Sequence, residues 1–305
     1  MIYSNVISGP GGFVLDYYNN EMVMSASNTY SGPTIVGSSG NTPEVALAGN
    51  GSISHSSLIF FGGNSPTTGH LDVSGRNDQT LTLASGQTLA GIGAINGSLV
   101  VSAGATISPA GTNTTIGITT GSIGITTGSN PVGGLTASDN IELGGTTIIK
   151  LDGSANNDTI GAEGTITYGG TLNLVNISGA PLAAGNSFQV FEAGAITGLF
   201  ASITPATPGP GLAWDLSQLS SGIIGVLASG APIIGSTRIS GGNLIFSGSG
   251  GTANGTYVVL SATNATTVLR NWTPIATNNY DASGNFSVTN ALVPGVPQRF
   301  YTIEQ

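Results

Sequence analysis

The sequence predicts an all-β protein: a solenoid of short strands followed by a small antiparallel unit. Three observations carry that prediction. Sustained helical periodicity is missing, because every window long enough for an amphipathic helix is interrupted by Gly, Pro or Asn-Gly. Short apolar runs recur at near-constant spacing between turn residues. The surface must also be wetted almost without ions: 6% of the 305 residues are charged, against about 25% in a typical soluble domain.

The first strand-like runs are Glu44 to Leu47, Ser57 to Phe61, His70 to Val73, Thr80 to Leu83, Leu99 to Ala103 and Thr106 to Ile107, each bounded by a turn signal. Taking Ile35, Val45, Ile53, Phe61, Leu71, Leu81, Leu89, Leu99 and Ile107 as centres, the runs recur every 8 to 10 residues, inside the roughly 8–12 of regular short strands. A sandwich and a solenoid both fit that rhythm. Small corner residues, constant steps and the lack of a strand–Asn-Gly–strand hairpin favour the solenoid, whose coils hydrogen-bond to the coils above and below.

The rhythm loosens after Thr112, where "IGITTGS" occurs twice in tandem, Ile116 to Ser122 and Ile123 to Ser129. A further coil or a duplicated loop would each account for it, and the closing "NPVGG" favours a loop insertion. Strands resume at Ile141 to Leu143, Thr147 to Leu151, Thr171 to Val175 and Phe188 to Phe191. "TPATPGPGLAWD" then leads to the last solenoid run, Ile223 to Leu227. The reading is therefore a β-helix over 1–228, a linker over 229–236 at "SGAPIIGS", and a small antiparallel β-sandwich over 237–305, with strands in "NLIFSG", "GTYVVLSA", "NFSVTN" and "RFYTI".

The formal net charge of −9 comes from few Lys and Arg rather than from acidic blocks. Arg76, Lys150, Arg238, Arg270 and Arg299 are widely spread, which argues against nucleic acid, whose phosphates need clustered cations. The absence of cysteine excludes disulfides, thiolate zinc sites and a Cys nucleophile. No apolar run reaches the roughly 20 residues of a membrane-spanning helix, so no membrane insertion by this chain is expected. "MIYSNVISGPGGF" lacks the basic and apolar regions of a secretory leader.

"VISGPGG" followed by "SASNTYSGPTIV" resembles the autotransporter-associated β-strand repeat, and "GIGAINGSLVVSAGATISPAG" looks like the coil that commonly follows it. "GNSFQVFEAGAITGLFASITP" with "GLAWDLSQL" is similar to the closing part of exported bacterial proteins carrying such repeats, and the tail looks like a C-terminal module of the same proteins. The resemblance implies a right-handed parallel β-helix displayed outside the cell or at its surface, adhesin-like, with no catalytic residue and no cofactor. Nothing in the chain resembles a translocator barrel.

Chemistry-bearing residues are few. "GHLDVSGRND" is the densest polar cluster: on a strand, His70, Asp72 and Ser74 share a face, the best acid/base arrangement available, while Arg76 and Asp78 read as a turn pair. His55 has no partner at metal-binding spacing. Asp139 with Glu142, and Asp152 with Asp158 in "DGSANND", are the local carboxylate pairs for hydrolysis or calcium, and plain turns are the favoured reading of both. Trp272 with Tyr257, Tyr280 and Tyr301 would make a sugar-stacking platform, or simply the core of the sandwich; Trp214 reads as a packing aromatic.

Three function classes follow. The first is a structural or adhesin-like rod contacting surfaces, matrix or other copies of itself. The second is a polysaccharide hydrolase or lyase on a β-helix, with His70 and Asp72 as its acid/base groups. The third is a non-catalytic binder of extracellular polysaccharide that uses the tail's aromatics.

Overall fold

The computed structural model describes residues 1–15, 21–37, 43–62, 69–110, 115–119, 122–126, 132–152, 156–209, 211–230, 232–252, 254–293, 295 and 298–305. It divides into two compact units. One comprises Met1–Pro181, Ser187–Thr204 and Leu216–Ile224; the other comprises Leu182–Asn186, Pro205–Asp215 and Gly225–Gln305.

The first unit is a parallel β-helix. Among the described residues its strands form an eleven-stranded and a nine-stranded sheet, in which strands pair in parallel with the equivalent strand one coil away, except the short Asn156–Asn157, which pairs antiparallel with Thr146–Asp152. Three faces recur. The first is built from Ile2–Tyr3, Glu21–Met24, Glu44–Leu47, Gly69–Asp72, Gly93–Asn96 and Gly134–Ala137. The second starts at Thr80–Leu83 and continues through Ser98–Val101 and Ile141–Leu143. The third runs from Phe13–Leu15 through Thr34–Val36, Leu58–Phe61, Thr88–Gly91, Thr106–Pro109, Thr146–Asp152 and Thr171–Asn176 to Ser202–Thr204. Thr159–Tyr168 serves the first and second faces in one strand with an irregularity between Ala162 and Thr165, and Phe191–Gly198 stacks on it.

Alternation decides what enters the core. Val45, Leu71, Ile95, Ala137 and Ala162 stack inward on the first face. Leu81, Leu99, Ile141 and Ile166 do so on the second, and Ile59, Leu89, Ile107, Thr147 and Leu172 on the third. All are buried, and each large aliphatic member contributes about 1.5–3 kcal/mol. Of the expected strand centres, Ile53 alone is buried without lying in a strand; it sits at a corner.

Corners are tied across coils by short polar side chains. Asn28, in the "SASNTY" segment, accepts from the N–H of Ile7 and donates to the carbonyls of Ala26 and Ser52. Gly91 has φ +102°, and a Cβ there would lie 2.0 Å from the carbonyl oxygen of Phe61. Glycine thus lets the chain pass almost directly from Thr88–Gly91 into Gly93–Asn96. The tandem "IGITTGS" is an insertion rather than a coil: among the described residues, Thr115–Thr119 and Ser122–Thr126 pair antiparallel only with each other.

The second unit contains a β-sandwich. Ile233–Ser240, Asn243–Ser249 and Phe286–Ala291 form one antiparallel sheet; Thr273–Asn279, Thr256–Ala262 and Phe300–Glu304 form the other. Phe246, Tyr257, Val259, Tyr280, Phe286, Val288 and Ile303 fill the space between them. Gly241 and Gly242, with φ +56° and +76°, make the two-residue turn of the first hairpin. Residues 233–236, read from the sequence as the end of a linker, open the strand Ile233–Ser240, because their β-branched run pairs with Asn243–Ser249. Also in this unit, Leu212–Asp215 pairs antiparallel with residues 225–228, and the Trp214 indole N–H donates to the carbonyl of Pro205.

Candidate functional site

Outward positions of the first face define a trough of about 700 Å³. Its floor is Ala94, Thr136 and Gly161, which lie opposite one another on successive strands. His70, opposite Ala94, stands at one end and Glu192, opposite Gly161, at the other. Four strand spacings separate these ends, roughly 19 Å at about 4.8 Å each. Small side chains leave the floor open, and Asn96, Ser138 and Glu163 line the side formed by the corner.

His70 and Asp72 project from the same strand, as alternation requires. Asp72 Oδ1 accepts from the backbone N–H of Ser74 at 2.8 Å and from Asn96 Nδ2 at 3.0 Å, which turns the carboxylate toward the corner. Ser74 lies beyond the strand end, so the expected three-residue face does not form. Asn96 Oδ1 accepts in turn from Ser138 Oγ, whose oxygen accepts from the N–H of Gly97. Glu44 sits opposite His70 one coil earlier. Burial pushes its carboxyl up, the charges of Asp72 and Glu21 add to the rise, and His70 opposes it. Glu44, Glu163 and Glu192 were not singled out by the sequence, because only the register between coils brings them beside His70 and the trough.

The remaining candidates are held in structural contacts. Arg76 forks onto Asp78 at 2.9 and 3.0 Å and also donates to the carbonyl of Gly51; this hydrogen bonding holds the Asp78 carboxyl below the usual range. His55 lies exposed in a turn. Asp139 accepts from Ser98 Oγ at 2.8 Å and from its neighbour Asn140, while Glu142 faces outward between Val100 and Thr167.

Of the "DGSANND" pair, Asp152 lies opposite Asn156 at the end of its strand, and residues 153–155 lie outside the described residues. Asp158 is fully buried, and its Oδ2 lies 2.7 Å from Lys150 Nζ. The same oxygen accepts from the N–H of Lys150 at 2.9 Å, and Oδ1 accepts from the N–H of Gly133 at 2.8 Å. Burial pushes this carboxyl up, against the opposing pull of Lys150. Among the described residues no group of three or more acidic or histidine side chains could hold a metal ion.

In the sandwich, Tyr257 and Tyr280 are 2% and 3% exposed, with ring centroids 4.7 Å apart. They are core residues, and both also line a cavity of about 780 Å³ with Asn278, Asp281 and Asn285. A module of about 70 residues needs its aromatics for its own core. Tyr301 packs against the same core at Phe246, and its hydroxyl accepts from Asn290. Trp272 is half-buried, and its indole N–H donates to the carbonyl of Thr267 at 2.8 Å. Among the described residues no helix is long and apolar enough to cross a membrane. No family model and no curated protein matches the chain.

Proposed function

We propose that this chain is a secreted or surface-displayed structural protein, adhesin-like in role, that contacts extended extracellular polysaccharide along the first face of its β-helix. The observation that carries this reading is the trough: a long, shallow channel with a floor of small side chains, running along the stacking direction of the coils. A polymer laid along it meets one outward residue per coil. The resemblance of "SASNTYSGPTIV" to autotransporter-associated repeats, and a surface wetted by hydroxyls and amides, agree with an extracellular scaffold.

Charge narrows the ligand. Glu163 and Glu192 line the trough, with Glu44 and Asp72 beside the His70 end. Uronate-rich chains would be repelled there, whereas neutral or amine-bearing glycans would not. Contact without turnover fits the placement of Asp72, whose carboxylate serves the corner network rather than a nucleophile.

Co-sedimentation with chitosan, a neutral β-glucan and polygalacturonate, while reducing ends and unsaturated products are followed, tests the reading. Retention on the first two without new products supports it. Product formation that is lost in His70→Ala would replace it with a carbohydrate-active enzyme.

A further inference from the structure

We propose that Lys150 and Asp158 become joined by an amide bond in the folded protein, a covalent staple across the corner between the third and first faces of the β-helix. Lys150 is the sole lysine of the sequence; the other basic residues are four arginines, whose guanidinium groups are poor nucleophiles. It is placed with its side chain 4% exposed against a fully buried aspartate, Nζ to Oδ2 at 2.7 Å. A permanently charged pair in that position carries a large desolvation cost, which amide formation removes by discharging both partners.

The surroundings supply what the condensation needs. Nζ also donates to the carbonyl of Pro109, which holds the amine in place. The N–H groups of Gly133 and Lys150 donate to the two carboxyl oxygens, so negative charge growing on oxygen as the carbonyl carbon is attacked meets fixed donors. Burial favours the neutral acid, the form that reacts. Folding holds the reacting groups together, replacing a bimolecular encounter by a positioned one.

The step balances without a further reagent. The ammonium passes one proton to the carboxylate, giving amine and carboxylic acid. The amine nitrogen bonds to Cγ of Asp158, a second proton passes from that nitrogen to the departing hydroxyl, the C–O bond breaks and one water leaves. Nothing is oxidised or reduced.

Amine counting and intact mass of the purified full chain test the proposal. Denatured wild-type protein has two candidate amines, the α-amine and Lys150. The expected result is a mass one water below that of the sequence, one label from an amine-reactive reagent, and a cross-linked peptide containing Lys150 and Asp158. Lys150→Arg and Asp158→Ala should each restore the full mass for their sequences. A wild-type chain of full mass that takes two labels would overturn the proposal, and that measurement stands whether or not the variants fold.

Discussion

The side-chain amide of Asn28 donates to the carbonyl oxygen of Ser52 at 3.2 Å, from one coil of the β-helix to the next. Because Asn28 Oδ1 accepts from Ile7 in the preceding coil, one buried residue ties three successive turns of the chain together. Asn28→Ala leaves the N–H of Ile7 without its acceptor. It should cost about 2 kcal/mol, the range of a buried polar group left unsatisfied. Urea denaturation of the variant reads this as a lower midpoint at unchanged slope.

Thr147 occupies the inward ladder between Ile107 and Leu172. Its hydroxyl is buried with no hydrogen-bond partner among the described residues. Thr147→Val keeps the β-branched shape and replaces that hydroxyl by a methyl group. It should stabilise the protein by about 1 kcal/mol. Thermal unfolding of the pair checks the sign: a lower midpoint for the variant would show that the hydroxyl is satisfied.

The buried hydroxyl of Tyr280 likewise has no hydrogen-bond partner among the described residues, and burial, with a smaller effect of Tyr257, pushes its pKa up to about 12 from 10.0. The folded sandwich holds this proton more tightly than the unfolded chain does. The associated stability is therefore complete below about pH 10 and is lost as pH rises toward 12. Tyr280→Phe should remove this part of the alkaline sensitivity without loss of stability at neutral pH. Alkaline unfolding of the two proteins, followed by tyrosinate absorbance, makes the comparison.

Glu44 follows the same sign on the other unit. Burial, Asp72 and Glu21 raise its folded pKa, so its stabilising effect is present below the ordinary glutamate range and disappears as pH rises through the raised value. Glu44→Gln should therefore remove this fall in stability between the ordinary glutamate range and neutral pH, and raise the melting temperature slightly at pH 7. An unchanged profile would place Glu44 outside the charge cluster around His70.

Legibility in the sequence followed local pattern. Val45, Phe61, Leu71, Leu81, Leu89, Leu99 and Ile107 could be chosen as strand centres because two-residue alternation between turn residues is local information, and all seven lie in strands and are buried. Gly93–Asn96 was missed because Gly91 lets it follow the preceding strand almost at once, with no loop to announce it. Thr159–Tyr168 is not among the expected strands, because the glycines of "GAEG" interrupt its alternation where the strand passes through a corner. The trough depends on register. Bonds between adjacent coils join residues 21 apart at Asn28 and Ile7, 25 apart at Gly133 and Asp158, and 31 apart at Thr171 and Ser202. With so variable a coil length, spacing cannot reveal that Glu44 faces His70 or that Gly161 faces Glu192. The tyrosines of the tail were recognised as a group, but composition alone does not separate a stacking platform from a core.

Binding of a soluble chitosan oligomer to the wild-type chain and to Thr136→Arg, followed by titration calorimetry, asks whether the trough holds a glycan. Thr136 is exposed on the trough floor, so the substitution should leave stability within about 0.5 kcal/mol while laying a long cationic side chain across the channel. Saturable binding to the wild type is expected, weakened at least about tenfold in the variant, a change of roughly 1.4 kcal/mol. Equal binding by both proteins, or binding by neither, would contradict that expectation.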